Sequence, residues 1–147
     1  MLRFNMTFFA ARAMSAPTKP KVYVADDDAD VLGSLRFLLE ADGFDVRTFR
    51  SGTALLNASD HASPDCFVLD YKMPELNGVE LAERLRKQGA TAPVVLITGH
   101  YDDRLAARAA AVGIQDFLLK PLLDDNLVKR IRKAIANEHS ATAQRAS

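Results

Sequence analysis

The sequence lacks three features that would assign it to common classes of protein. It has a single cysteine, Cys66, so no intramolecular disulfide can form and a zinc site has no cysteine partners. It has no net charge, because 19 basic residues balance 19 acidic ones, and so lacks the overall basic field that attracts nucleic acid or anionic membrane. Its longest aliphatic run, Val94–Ile97, is far shorter than the roughly 18 residues of a membrane-spanning helix. We therefore expect a cytoplasmic protein that contacts neither membrane nor nucleic acid directly.

The remaining composition is that of one globular domain with a tail at each end. The chain has 147 residues, of which 48% are hydrophobic and 26% charged. Residues 1–20 carry three basic side chains and no acidic one, and we interpret them as a disordered tail. Residues 138–147 are small and polar without hydrophobic periodicity, which favours a flexible tail. The predicted domain is therefore residues 21–137.

Five short apolar segments have the character of β-strands. Three of them are apolar at successive positions rather than at alternate ones, which is typical of strands buried on both faces of a parallel sheet. The predicted strands cover residues 22–25, 45–49, 66–69, 94–98 and 116–119.

Amphipathic stretches separate these strands. Val31, Leu35, Leu38 and Leu39 fall on one helical stripe, and Gly43 is well placed to end that helix. Further helices are predicted over 54–58, 78–88 and 102–112, and from residue 127 onwards. Strand and helix alternating five times predict a doubly wound α/β domain with a five-stranded parallel sheet. Ligands of such a domain bind at the carboxyl ends of the strands.

Chemically active side chains follow the strands at that edge. Asp26 and Asp27 come after the first strand and Asp70 after the third, while Thr98 ends the fourth and Lys120 follows the fifth. Carboxylates held this close repel one another unless a cation joins them, and Mg²⁺ prefers such oxygen ligands. The ammonium and hydroxyl groups suit phosphoryl oxygens. The sequence thus predicts a phosphoryl-binding pocket built over a magnesium ion.

Four segments in chain order carry a family resemblance: VYVADDD, VLDYKMPELNG, VVLITGH and DFLLKP. Together they resemble the receiver domain of bacterial two-component response regulators, over residues 21 to about 137. Thr98-Gly99-His100 and Asp116-Phe117 are similar to receivers of the FixJ type. The resemblance implies a CheY-like fold with strand order 2-1-3-4-5 and five helices, and a sensor histidine kinase or phosphotransfer protein as the phosphoryl donor.

The resemblance also implies how the metal and the phosphoryl group are held. Asp70 would be the phospho-acceptor. Asp27 and Asp70 would bind Mg²⁺ directly, Asp26 would hold a metal-bound water, and the backbone carbonyl of Lys72 would complete the protein ligands.

A second set of implied roles concerns signalling. Thr98 would follow the phosphoryl group by hydrogen bond, Phe117 would rotate inward behind it, and Lys120–Pro121 would be a cis peptide. The fourth helix, fifth strand and fifth helix would form the face that binds a downstream protein target or a second copy of the chain.

Three positions modify these expectations. Phe117 has no hydroxyl to bond outward, so we expect a switch driven by packing; a simple core role for this side chain is equally compatible with the sequence. Neither Lys72 nor His100 is suited to orient a hydrolytic water, which predicts slow self-dephosphorylation.

Two other functions fit parts of the sequence. A phosphatase of haloacid-dehalogenase type would use Asp26 as nucleophile and Asp28 as acid, although Asp30 stands where that motif usually has Thr or Val. Alternatively, Asp28 and Asp30 serve only the N-terminus of the first helix. The second of these other functions is that of a binding module on the same fold, which works without phosphorylation.

Overall fold

The computed structural model describes residues 18–58, 64–114, 116–122 and 126–146, with side chains as far as Ala141. Most of the predicted N-terminal tail, residues 1–17, lies outside them. None of the helices in these ranges is long and apolar enough to cross a membrane. The elements, in chain order, are β1 (Lys21–Ala25), α1 (Ala29–Ala41), β2 (Asp45–Phe49), α2 (Gly52–Leu56), β3 (Cys66–Asp70), α3 (Gly78–Lys87), β4 (Val94–Thr98), α4 (Asp103–Ala111), β5 (Asp116–Leu119) and α5 (Asn126–Ala146).

The five strands form one parallel sheet in the order β2-β1-β3-β4-β5, as predicted. The bounds of β2, β4 and β5 also match the prediction. β3 runs one residue further than predicted, because Asp70 still pairs in register with Ile97 of β4. The acidic residue is therefore held by the sheet itself rather than by the loop that follows it.

Each face of the sheet carries its own hydrophobic layer. Val22 and Val24 of β1 point to the layer that α1 and α5 complete. Tyr23 and Ala25, which alternate with them, point to the layer that α2, α3 and α4 complete. Because successive strand residues face opposite sides, apolar residues at successive positions bury both faces.

The first helix differs slightly from its predicted stripe. Leu32, Leu35 and Leu39 are the buried residues of α1, whereas Val31 and Leu38 are only partly buried. Spacings of three and four residues define the buried stripe, so the helix is turned a little from the predicted orientation. Part of its apolar surface therefore remains open to solvent.

Two helices have bounds that the sequence analysis placed wrongly. The predicted helix over 54–58 begins earlier, at Gly52, because the Ser51 side chain caps it by accepting a hydrogen bond from the backbone N–H of Ala54. The predicted flexible tail from residue 138 is helical as far as Ala146. No glycine or proline interrupts residues 138–146, and alanine, the strongest helix former, occurs three times there.

Candidate functional site

The buried polar side chains of the described residues all lie at one edge of the sheet. They are Asp26, Asp70 and Thr98, each at most 3% exposed. Asp26 follows β1, and the other two end β3 and β4. Burying a polar or charged group is costly unless a partner compensates it. Three such groups at the carboxyl edge therefore mark a site, at the place where the fold predicts one.

Backbone hydrogen bonds fix the two buried carboxylates in place. The N–H of Asp26 donates to the carbonyl of Phe49 in β2, at 3.1 Å. One carboxylate oxygen of Asp26, Oδ1, accepts from the N–H of Asp28 at 2.9 Å. Just beyond Asp70, the N–H of Tyr71 donates to the carbonyl of Ile97, at 2.8 Å. The positions of these carboxylates therefore follow from the sheet and its first turn.

The three predicted acidic metal ligands converge. One carboxylate oxygen from each of Asp26, Asp27 and Asp70 lies within 4.8 Å of the others. The second oxygen of Asp26, Oδ2, is buried and has no hydrogen-bond partner among the protein atoms. A buried carboxylate oxygen without a donor calls for a cation or an ordered water. This cluster of hard oxygen ligands fits Mg²⁺.

Burial controls the protonation of the two carboxylates. It raises the pKa of Asp26 against the opposing effect of the hydrogen bond from Asp28, and the negative charge of Asp70 raises it further. Burial also raises the pKa of Asp70, against the opposing effect of Lys120. Both shifts express the cost of gathering negative charge in a poorly solvated pocket. A bound divalent cation would reverse that cost.

Lys120 supplies the positive charge predicted opposite the carboxylates. Its Nζ lies 3.0 Å from Oδ1 of Asp70. Burial lowers the pKa of Lys120, but the hydrogen bond to Asp70 and the nearby carboxylate charges outweigh it, so that the pKa is raised overall and the side chain stays charged. The backbone N–H of Lys120 donates to the carbonyl of Thr98 at 2.9 Å, and the Lys120–Pro121 peptide is cis, as the resemblance implied.

The loop after β3 bends tightly against the end of that strand. A side chain at Gly78 would place its Cβ 2.6 Å from Leu96 Cδ1 and 2.8 Å from the carbonyl oxygen of Asp70, so only glycine fits. Glu75 takes a left-handed conformation with φ of 70°. Lys72 is exposed in this loop, on the rim of a cavity beside the site.

The Thr98 hydroxyl bonds locally rather than towards Asp70. Its Oγ1 donates to the carbonyl of His100 at 2.8 Å and accepts from the N–H of the same residue at 3.2 Å. Both functions of the hydroxyl are therefore used within the turn that follows β4. Contact with a phosphoryl group on Asp70 requires this side chain to exchange partners.

Phe117 in β5 is half-buried and packs against the layer beneath α4. Its ring meets the Tyr101 ring edge to face, with 5.1 Å between centroids. Tyr101 itself is 47% exposed. An aromatic pair with one member at the surface can change its packing without opening the core, which is compatible with both roles considered for Phe117.

Sequence reasoning missed a cationic rim on this side of the site. Arg104 and Arg108 of α4 join Lys72 around a cavity of about 340 Å³ next to Thr98, which His100 and Asp102 also line. The guanidinium of Arg108 reaches the Tyr71 hydroxyl at 3.4 Å. The spacing of four residues between the two arginines, which places them on one helical face, was the available signal.

Asp28 does not act as a second catalytic acid in this arrangement. Its Oδ1 accepts from the N–H groups of Asp30 and Val31, at 2.9 and 3.3 Å, and caps α1. Asp30 stands in the first turn of the same helix. The helix N-terminus therefore accounts for both residues, which weakens the phosphatase hypothesis.

Comparison with known proteins gives a consistent assignment. Residues 22–132 match the family model described as response regulator receiver domain. The chain is 42% identical over 129 residues to the transcriptional regulatory protein FixJ of Bradyrhizobium diazoefficiens, covering 88% of this chain and 63% of that protein. It is 36% identical over 114 residues to the response regulator protein TmoT of Ectopseudomonas mendocina, covering 78% and 52%.

A solved structure agrees in fold. The crystal structure of FixJ-N superposes with a TM-score of 0.73 at 32% identity and covers 82% of this chain and 96% of that one. By contrast, the present chain spans less than two thirds of the length of the two curated relatives.

Proposed function

Because the chain belongs to the family of response regulator receiver domains, whose members accept a phosphoryl group and pass on a signal, we propose that Asp70 is its phosphoryl acceptor. The observation that carries this assignment is the environment of one carboxylate. Asp70 is buried at the carboxyl end of a central strand, within 4.8 Å of Asp26 and Asp27 by its nearest oxygen, and 3.0 Å from the Lys120 ammonium.

The donor is a phosphohistidine on a sensor kinase or phosphotransfer protein. A carboxylate oxygen of Asp70 forms the new bond to phosphorus while the bond between phosphorus and the donor imidazole breaks, leaving the donor histidine free. Such a transfer depends on positioning and on neutralising the phosphoryl charge. Lys120 already contacts the acceptor and provides one positive charge there.

Asp26, Asp27, Asp70 and the backbone carbonyl of Lys72 would hold Mg²⁺, with Asp26 acting through a metal-bound water. When bound, the ion supplies charge neutralisation for the carboxylates and the phosphoryl oxygens. The unpaired buried oxygen of Asp26 supports this assignment. The same groups account for self-phosphorylation from small phosphodonors, which we propose to be magnesium-dependent.

The signal leaves through the side of the domain that holds Thr98 and Phe117. Phosphorylation of Asp70 would draw the Thr98 hydroxyl away from His100, and the Phe117 ring would then repack against Tyr101. The face formed by α4, β5 and α5 exposes Leu119 at 56%, which suits contact with a protein target or a second copy of the chain. This output needs no direct contact with nucleic acid, and the setting is the cytoplasm.

Loss of the phosphoryl group should be slow. Lys72 and His100 flank the open side of the site, and both are exposed. Neither offers a carboxylate or amide to orient an attacking water, so we expect the phosphorylated form to persist well beyond seconds. A decay time course in the presence of Mg²⁺ measures this directly, and loss within seconds contradicts it.

Substitution of Asp70 by Asn tests the acceptor. Asp70→Asn should abolish labelling by acetyl phosphate with Mg²⁺, measured by intact mass, because an amide cannot form the acyl phosphate. Asp103→Asn is the matched control, since Asp103 is an exposed carboxylate in the first turn of α4. Labelling retained in Asp70→Asn, or lost equally in the control, contradicts the assignment.

A further inference from the structure

An apolar groove runs between α1 and the segment that follows β5. Its volume is about 690 Å³, and one wall carries Lys120, whose ammonium contacts Asp70. The groove is therefore next to the phosphorylation site but outside the carboxylate cluster. Its remaining lining combines apolar side chains with two polar ones: Val31, Leu35, Leu38, Pro121, Leu122, Asp30 and Ser34.

Phe37 extends this apolar surface along α1. It follows Asp30 and Ser34 at spacings of seven and three residues, so the three side chains stand on one face of the helix. The Phe37 side chain is 79% exposed, the largest exposed fraction among the described large hydrophobic residues. An apolar groove continued by an exposed aromatic ring is the type of surface that binds another segment.

The chain itself leaves the fold at the far end of this surface. Thr18, the first described residue, lies beside Glu40 and Phe44 at the C-terminal end of α1. The 13 residues of α1 span about 20 Å. Residues 1–17 can reach about 56 Å when extended. They are therefore long enough to follow α1 from Thr18 to Asp30.

The sequence of residues 1–17 complements the groove. It contains three of the eight phenylalanines of the chain, Phe4, Phe8 and Phe9, together with Leu2, Met6 and Met14. Its only charged side chains are two arginines. Asp30, an exposed residue in the first turn of α1, lines the end of the groove nearest the site. Apolar residues with basic ones between them match an apolar groove with an acidic end.

We propose that this groove is the binding surface for residues 1–17 of the same chain. Tethering provides an effective concentration of about a millimolar, so even weak contacts populate the bound form. Because the groove shares Lys120 with the proposed phosphorylation site, a segment bound in the groove would end next to that site. This inference goes beyond the proposed phosphoryl acceptance and does not depend on it.

A spin label tests the proposal in the full chain. Thr7→Cys provides one accessible thiol for a nitroxide, because Cys66 is completely buried and does not react. We expect the amide signals of Ser34, Phe37 and Leu38 to be at least about twofold weaker with the oxidised nitroxide than in the same sample after the nitroxide is reduced, because tethering keeps the segment close to the groove. Amides of α3, on the opposite face of the sheet, should keep their intensity.

Two variants and one mixture complete the test. Phe8→Ser with Phe9→Ser should abolish the broadening, and Phe37→Ser should weaken it without a cost in core packing, because the ring is exposed. No broadening on α1, or broadening spread evenly over the domain, overturns the proposal. Broadening that persists when spin-labelled protein without isotopes is mixed with isotope-labelled protein without a spin label assigns the groove to a second copy and also overturns the proposal.

Discussion

Each end of β3 carries a buried ionisable side chain, but the two side chains have different surroundings. Cys66 opens the strand and Asp70 closes it; both are ionisable and buried, and burial raises the pKa of each. Nearby carboxylates, Asp65 and Asp116, raise the pKa of Cys66 further, whereas Lys120 opposes the rise at Asp70. The thiol is therefore held neutral as part of the packing, and the carboxylate is held where charge is compensated. Burial alone does not make a site; burial opposed by a charged partner does.

The largest expected effect concerns the packing around the Asp70 end of β3. Gly78→Ala should lower the free energy of unfolding by about 1–3 kcal/mol, because the new Cβ overlaps Leu96 and the Asp70 carbonyl. Chemical denaturation measures this change. Gly33→Ala is the matched control: nothing lies within 4 Å of its Cβ, so alanine should stabilise α1 instead. Equal changes in the free energy of unfolding for the two substitutions would mean that the loop after β3 can move to make room for the added Cβ.

The next prediction separates the carboxylates from Lys120. Asp26→Asn should weaken Mg²⁺ binding at least about tenfold, or about 1.4 kcal/mol, because it removes one negative charge from the cluster. Lys120→Met should strengthen binding, because it removes the cation that competes for Asp70. Calorimetric titration with Mg²⁺ measures both. Weaker Mg²⁺ binding in Asp26→Asn together with stronger binding in Lys120→Met would support the contrast between the carboxylates and Lys120. A change of affinity in the same direction in both variants would contradict it.

At the other end of the strand, Cys66 should make stability depend on alkaline pH. Burial raises the pKa of its thiol from 9.0 to about 12. A raised pKa means that the folded form binds its proton more tightly, so the contribution is complete below pH 9 and is lost as the pH rises towards 12. Between pH 8 and pH 10 the loss should reach about 1.4 kcal/mol.

The control for this effect is Cys66→Ala. Its absolute stability falls because of the cavity, but its dependence on pH between 8 and 10 should be shallower than that of the parent. Unfolding curves at several pH values give both slopes. Parallel slopes would mean that the thiol is solvated in the folded state and that the two ends of β3 differ less than described.

The smallest effect is expected at the aromatic pair near Thr98. Tyr101→Ala should cost about 0.5–1.5 kcal/mol, because it removes an edge-to-face contact that is partly at the surface. A beryllofluoride phosphoryl mimic should change the chemical shifts of Phe117 if the pair takes part in switching. In Tyr101→Ala this change should then differ from that in the parent protein. A stability change without that spectral effect would assign Phe117 to the core alone.

Much of the architecture could be predicted from local patterns. The strands β2, β4 and β5 were placed to the residue, and the strand order followed from the family resemblance. The convergence of Asp26, Asp27 and Asp70 was also predicted, because parallel strands bring their carboxyl ends to one edge. The end of α5 was misplaced, since its last turns carry no hydrophobic stripe and are helical by propensity instead.

Other features of the site have no local signal. Nothing in the sequence around Thr98 indicates that its hydroxyl bonds within the His100 turn, because a side chain chooses between competing partners according to their distances. The cationic rim of Arg104 and Arg108 also depends on how α4 is rotated against the sheet.

The sequence by itself determined which chemical groups are present and at which edge of the sheet they gather. Periodicity fixes strands and helices locally, and the parallel topology then brings the strand ends together. Only the tertiary structure decided how those groups are paired: Lys120 on Asp70, Asp26 with one oxygen unpaired, and Phe37 in the open beside a groove. Pairing depends on distances of a few ångströms between segments far apart in the chain, and these distances are set by packing of the whole domain.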